Sequence, residues 1–586
     1  MRATLSDNVY RALGPLGARL LKIFRFLERD VKRSGLGLHP EVYASYVVLV
    51  LAASAAGAGA LYLALLPKLP PLVGPLLLAV PLAALGLMLA VPKVMASNAA
   101  SAIDSEFPYG ASYLSMLVES GLSPYAAFER LSLASLTFKN LATLGQRFYL
   151  LTRVLGKDPL SAFSAIAEAT PSPIARETLL GYVSVARSGG DVIHYMNEKA
   201  RALLTDLVSK VRIVADRLGG VLESYLAVVL LTMITFAVMY FVTNSFASVI
   251  PFGMGGGSFF LLMYILLPLL SFAIIYVADL LQFKEPYTDW MPYVVASGTF
   301  LPIFVLTLSL GWLLYTSLPP YSPLKENPLL LGLYRALTWP ALVANLPDYT
   351  WSSVALSMAL IYASLPAVIY YEARSREYRV ASEITRFLRD LVEVRKTGLS
   401  PEKSIIELSR RDYGRFSRTL RKVAMGLSAG LPLVRLSTWA RDQIKSWRGR
   451  VLMQMLIDAI EMGGGTVEVL EELASFAERM EAVEEEKRRS LRTLMVVPYM
   501  GAVLSSITVI LMAAYVGQLP VSVAAYRAAA EAVLPSVVLN TYIMGLVAGK
   551  ISSGITASGF KHAVILTIAA LASMMFMPIL GVGGAA

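Results

Sequence analysis

The stretch 384–401, ITRFLRDLVEVRKTGLSP, decides how this chain folds. Its apolar residues Ile384, Phe387, Leu388, Leu391 and Val392 recur at the i, i+3, i+4, i+7, i+8 spacing of one buried helix face. The face then stops at Gly398-Leu399-Ser400-Pro401, where a capping serine and a first-turn proline start a new helix whose leading amides have no internal partner. The stretch belongs to a charged helical block, Arg374 to Arg492, that lies between uncharged segments. Val469, Leu470, Leu473, Phe476, Met480 and Val483 repeat the buried-face pattern near its end. A second block, residues 96–220, follows the same plan. Gly121-Leu122-Ser123-Pro124 opens a helix there, and Gly189-Gly190 answers Gly463-Gly464-Gly465 before a long closing helix. The copies are offset by 277 residues at the first landmark and 274 at the second, which makes them an internal repeat. Gly121, Pro124, Gly190, Gly398, Pro401 and Gly464 are the expected turn formers.

Composition places these blocks in a membrane protein. Of 586 residues, 56% are hydrophobic and 16% charged, the balance of a polytopic chain. Cysteine is absent, which excludes disulfides, thiol redox chemistry and cysteine-ligated metal. The net charge of +11 divides into +4 over residues 1–41, +1 over 96–220 and +6 over 373–492. No nucleic-acid motif accompanies it, so nucleic acid is not an expected partner.

Nine uncharged stretches are long enough to cross a hydrocarbon core of about 30 Å. They cover approximately 42–66, 69–92, 224–247, 257–280, 290–317, 349–371, 493–516, 532–549 and 562–583. The fold class expected is therefore an all-α polytopic membrane protein with two repeated cytoplasmic helical bundles. Its parts are an amphipathic N-terminal segment (1–41), two spans (42–95), the first bundle (96–220), two spans (221–282), and two more (290–372) joined by an external loop at 318–348. The second bundle (373–492), two spans (493–550) and a last span (561–583) complete it. With the N-terminus in the cytoplasm and the C-terminus outside, both bundles are cytoplasmic, and only Lys68, Lys325, Arg335 and Arg527 fall outside. Setting both long blocks aside leaves twelve inner cations against these four, as the positive-inside rule requires. In the first segment, Leu16, Leu20, Ile23, Phe24 and Leu27 share a face opposite Arg19, Lys22, Arg25 and Arg29, a pattern suited to anionic membrane lipids or to a solvated helix beside the membrane.

The chain shows no energy-converting motif. The nearest approach to a phosphate-binding loop, Gly545 to Lys550, has the wrong glycine spacing and continues with Ile551 where Ser or Thr is needed. Gly426-Leu427-Ser428-Ala429-Gly430 matches a hydrolase nucleophile elbow in letters but lies in helical surroundings. His39, His194 and His562 have no metal-ligand spacing. Neither an enzyme, a cofactor nor a metal is expected. A transporter or permease remains the alternative; it would need a polar path, yet Ser224 to Ala278 carries no charge. The strongest partner-facing feature is the run Arg410, Arg411, Arg415, Arg418, Arg421 and Lys422, six cations interrupted only by Asp412. Such a surface attracts an acidic protein. The acidic stretch Glu468, Glu471, Glu472, Glu478, Glu481 and Glu484-Glu485-Glu486 offers it an internal partner instead.

Two parallel units, each a bundle opened by Gly-Leu-Ser-Pro and closed by a glycine cluster and a long helix entering a span, resemble the F-domain platform proteins. These serve type II secretion systems and type IV pili, with TadC and FlaJ among their relatives. The resemblance covers roughly residues 40–560, and nine crossings are similar to the archaeal forms that serve adhesive pili or the archaellum. It implies a platform that is homo-oligomeric, engaged by a cytoplasmic hexameric secretion ATPase, and able to insert pilin-like or archaellin-like subunits. Arg410, Arg411, Arg415, Arg418, Arg421 and Lys422 are then the ATPase-facing candidates.

Overall fold

The structure, a computed structural model, describes residues 5–65, 74–246, 255–282, 290–315, 328–375, 379–462, 465–519 and 522–576. Helices α1 (Leu5–Ile23) and α2 (Arg25–Ser34) precede α3 (Pro40–Leu65) and the long α4 (Gly74–Glu119). The first bundle continues with α5 (Pro124–Leu131), α6 (Lys139–Tyr149) followed by a π turn, α7 (Pro159–Ala169), α8 (Pro173–Arg187) and α9 (Val192–Ser245). Then come α10 (Gly256–Leu281), α11 (Met291–Tyr315), α12 (Pro328–Val343) and α13 (Trp351–Ser375). The second bundle comprises α14 (Val380–Lys396), α15 (Pro401–Leu408), α16 (Phe416–Ser428), α17 (Leu433–Gln443), α18 (Trp447–Glu461) and α19 (Val467–Leu494). Three apolar helices close the chain: α20 (Val496–Gly517), α21 (Val523–Ser553) and α22 (Gly559–Met575). Among the described residues there is no strand.

The repeat is visible helix by helix. A shift of 277 carries α4 onto α13 and α14 together, and α5 onto α15; the later helices follow at 274 to 277. Their caps correspond as well. Ser123 and Ser400 accept from the backbone N–H three residues on, as do Ser172, Ser446, Asp191 and Thr466 at the later starts. Each such cap is worth about 1 kcal/mol. The copies differ at the membrane junctions: α4 and α9 run unbroken from bundle into span, whereas the second copy's closing helix breaks at Met495 between α19 and α20. The expected boundaries at 96 and 220 therefore fall inside continuous helices.

Eight described helices are long and apolar enough to cross a membrane. The fifth of the nine expected spans, 290–317, is helical over Met291–Tyr315 as α11, with its described apolar stretch confined to Tyr293–Thr307. The expected external loop at 318–348 contains α12, whose Leu337 and Ala341 bury against Val354 and Met358 of α13, so apolar packing makes this part a helix. Ion pairs at the span ends agree with alternating crossings. Lys550 meets Asp279 at 2.5 Å and Lys561 meets Glu372 at 2.6 Å on one side, while Arg527 meets Asp348 at 3.1 Å on the other.

Two large cores result. One fills the charged blocks and draws residues from both copies, from Ile103 to Leu207 and from Ile384 to Val483, so the two bundles share one interior. All eleven residues assigned above to the two buried faces of the second bundle are buried in it. The other core joins the apolar helices around α21, the most enclosed of the spans. There Gly545 and Gly549 let α22 approach so closely that a Cβ on either would strike the backbone of Ala563 or Gly559. Small residues four apart serve this contact in membrane helices, and that is the use of the glycines in the string that fails as a phosphate loop. The N-terminal segment is not simply laid on a surface: Leu27 and Val31 bury against Tyr43 and Val47, while Leu16 and Ile23 stay exposed.

Candidate partner-binding surface

The basic run occupies the turn between α15 and α16 and the first turns of α16. Its single acid is consumed by the turn. Asp412 accepts from the Gly414 N–H (2.9 Å) and the Ser417 hydroxyl (3.1 Å), and Gly414 takes the positive φ of 62° that the bend requires. Tyr413, buried, points inward and donates to Asp390 (2.7 Å); burial and that neighbouring carboxylate push its phenol pKa well up. Glu383 caps α16 by accepting from the Phe416 N–H (3.0 Å). The turn is thus anchored from beneath and its cations face outward.

The six cations divide. Arg411 pairs with Asp390 (3.0 Å), Arg410 with Glu407 (3.5 Å), and Lys422 lies 5.2 Å from the Trp439 ring centre. Arg415, Arg418 and Arg421 are exposed at three-residue spacing, which sets them along one side of α16. None of them has an ion-pair partner among the described residues. The acidic stretch does not neutralise them. Glu471 pairs with Lys396, Glu472 with Arg201 and Arg479, Glu478 with Arg389, Glu484 with Arg448, and Glu486 with Arg212. Those partners lie on α9, α14, α18 and α19 itself, because packing turns the acidic side of α19 toward them and away from α16.

The end of the matching turn in the first copy packs against the other bundle, while Leu133 and Leu136 within it stay exposed. At the 277 shift Phe138 stands where Arg415 does, and it is fully buried with its ring 6.5 Å from that of Trp447 on α18. The Trp447 indole donates to the Thr137 carbonyl (2.7 Å), and Tyr109 meets the same indole edge-on at 4.9 Å. Beside this contact Asp458, 1% exposed, accepts from the Tyr113 hydroxyl (2.6 Å) and from Arg130 (3.0 Å), which also reaches Glu461 (2.5 Å). A buried carboxylate held by two groups of the other copy fixes how the bundles meet.

Asp458 and the capping glutamates do not stand out in the sequence. The one signal for Asp458 is a lone acid within the apolar run Val451 to Ile460. Glu106, buried, accepts from the Asn140 and Leu141 N–H groups (both 2.9 Å) at the start of α6, as Glu383 caps α16, and the two glutamates are 277 residues apart. Burial raises the Glu106 pKa despite these donors. Of the turn residues, Gly121 and Gly398 adopt φ of 97° and 88°, with Pro124 and Pro401 in the first turn of the next helix. Near the second landmark Gly189, not Gly190, takes the left-handed conformation, since it follows the Ser188 cap of α8. Gly464 lies outside the described residues. Ser428 sits at the end of α16 and donates to the Ala424 carbonyl (2.9 Å), with no strand leading into it.

An all-α membrane protein with two copies of one helical bundle fused through a common core is the class these features define. The family model for type II secretion system (T2SS), protein F matches residues 111–240 and again 387–514. The chain carries the domain of this family of platform proteins in two copies. No curated protein and no solved structure matches it.

Proposed function

We propose that this chain is the membrane platform of a type IV filament machine, an archaeal pilus or archaellum, and that it couples a cytoplasmic hexameric secretion ATPase to the insertion of pilin-like subunits. The observation that carries the reading is the exposed side of α16, where Arg415, Arg418 and Arg421 follow a turn anchored from within. A basic surface at this place favours an acidic partner and speeds its encounter. The fused bundles supply a single body on which a stroke can act, and that body continues into the membrane through α4 and α9. The excess of inner cations supports a cytoplasmic N-terminus and cytoplasmic bundles. The chain itself works without a catalytic centre, and its energy comes from the partner.

Deleting the gene and imaging the cell surface by negative-stain electron microscopy, beside a complemented strain, tests the reading. Loss of one filament class, restored on complementation, is expected. An unchanged surface under filament-inducing conditions contradicts it. The missing filament's shape, with a swimming assay, separates pilus from archaellum.

A further inference from the structure

The two copies treat the same pair of membrane helices differently. In the second copy α20 and α21 are covered by α22, which packs on both. The Gly545 and Gly549 seats hold it, and the Tyr499 hydroxyl lies 2.7 Å from the His562 ring. In the first copy the corresponding pair is the membrane half of α9 together with α10. The helix that follows in order, α11, does not return to them but packs along α13. A groove of about 690 Å³ is left between α9 and α10, with apolar walls of Val221, Tyr225, Val228, Leu270, Ile274 and Leu281. Asp216 and Arg217 stand at its mouth, where α9 leaves the charged bundle. At the shift of 274, exposed Ser224 and Val228 fall on Pro498 and Ala502, both buried. Gly220 opens the groove further, since a Cβ there would meet nothing within 4 Å.

We propose that the α9–α10 groove seats an apolar membrane-spanning helix of another polypeptide, in the place that α22 fills within the second copy. The internal repeat selects a helix over a lipid, because the one occupant the chain supplies for this position is a helix. Apolar association within a bilayer has little hydrophobic driving force and depends on close packing, so a preformed concave wall is what such a partner needs. Its inner end meets the Asp216 and Arg217 charges, which favours polar residues there. That the seated helix belongs to the filament subunit rests on the platform reading; the seat itself does not.

The absence of cysteine makes the test clean. Val228→Cys and Ile274→Cys, one from each wall, each carry a benzophenone maleimide in membranes from cells that make the full chain and its partners. Leu511→Cys, exposed on α20, is the control. Photolysis is expected to join both wall positions to the same apolar spanning peptide, identified by mass spectrometry, with several-fold higher yield than at Leu511. Gly220→Phe and Ser224→Leu, which fill the groove, should each remove that adduct while leaving thermal unfolding of the full chain unchanged. Phospholipid adducts alone, different polypeptides from the two walls, or a yield equal to the control overturn the proposal. If deletion abolishes filaments yet the walls capture only lipid, the seat falls and the platform reading stands. If the walls capture a groove-dependent spanning peptide in a strain whose surface survives deletion, the seat stands and the platform reading falls.

Discussion

The turn between α5 and α6 and the turn between α15 and α16 occupy the same place in two copies of one bundle, and they face opposite ways. The first is apolar and buries its end: Phe138 and Thr137 lie under Trp447 while Leu133 and Leu136 stay exposed, and Arg130 nearby reaches across to Asp458. The second is basic and exposed, with Arg415 where Phe138 would be. One copy uses the end of this turn to hold the other, and in the second the turn stays exposed. The contact assigns a holding role to the first bundle, and the proposed function gives the second a docking role.

The strongest way to break that comparison is to truncate the two matching positions in turn. Phe138→Ala is expected to cost about 3 to 5 kcal/mol in thermal or denaturant unfolding, because it empties a filled site in the shared core. Arg415→Ala, the matching change, should stay within about 0.5 kcal/mol. Equal effects would mean that the two turns are not differentiated. Asp458→Ala is expected to cost about 3 kcal/mol, since it leaves the buried Tyr113 hydroxyl without its acceptor and the half-buried Arg130 with Glu461 alone. Its counterpart at the 274 shift, Ser184, is exposed, and Ser184→Ala should be close to neutral.

The smallest effect sharpens the comparison through pH. Burial raises the Glu106 pKa in the folded protein, so the stability this group contributes is fully present below the ordinary carboxylate value and is lost as pH rises through the folded one. Glu106→Gln still accepts a hydrogen bond and carries no charge. The melting temperature of this variant relative to the native chain is expected to become more favourable between about pH 4 and about pH 7. A difference that does not change, or changes in the opposite sense, contradicts the burial argument.

Much of this architecture was legible because it rests on short-range patterns. The apolar period of α14 and α19, the Gly-Leu-Ser-Pro turns and the uncharged spans each declare themselves within a few residues. What was not legible depends on which surface meets which. Phe138 and Trp447 read as ordinary core aromatics, and nothing local says that they join two bundles. Asp458 reads as a lone acid in an apolar helix, and nothing local says what it meets. The acidic side of α19 offered itself as a partner for the basic run, but its neighbours are set by how α9, α14 and α18 pack around it. Gly545 and Gly549 reveal their purpose only once α22 lies against them. The helix α12 was hidden by a stretch too short and mixed to count as a span.

If the free surface of the second bundle receives the motor, reversing its charge should stop assembly without harming the platform itself. The deletion strain is complemented with Arg415→Glu, Arg418→Glu and Arg421→Glu combined, filaments are counted by electron microscopy, and the membrane level of the protein is read by immunoblot. A docking role for α16 predicts a normal amount of protein in the membrane and no filaments. Filaments at native number, with the variant present at native level, would contradict it.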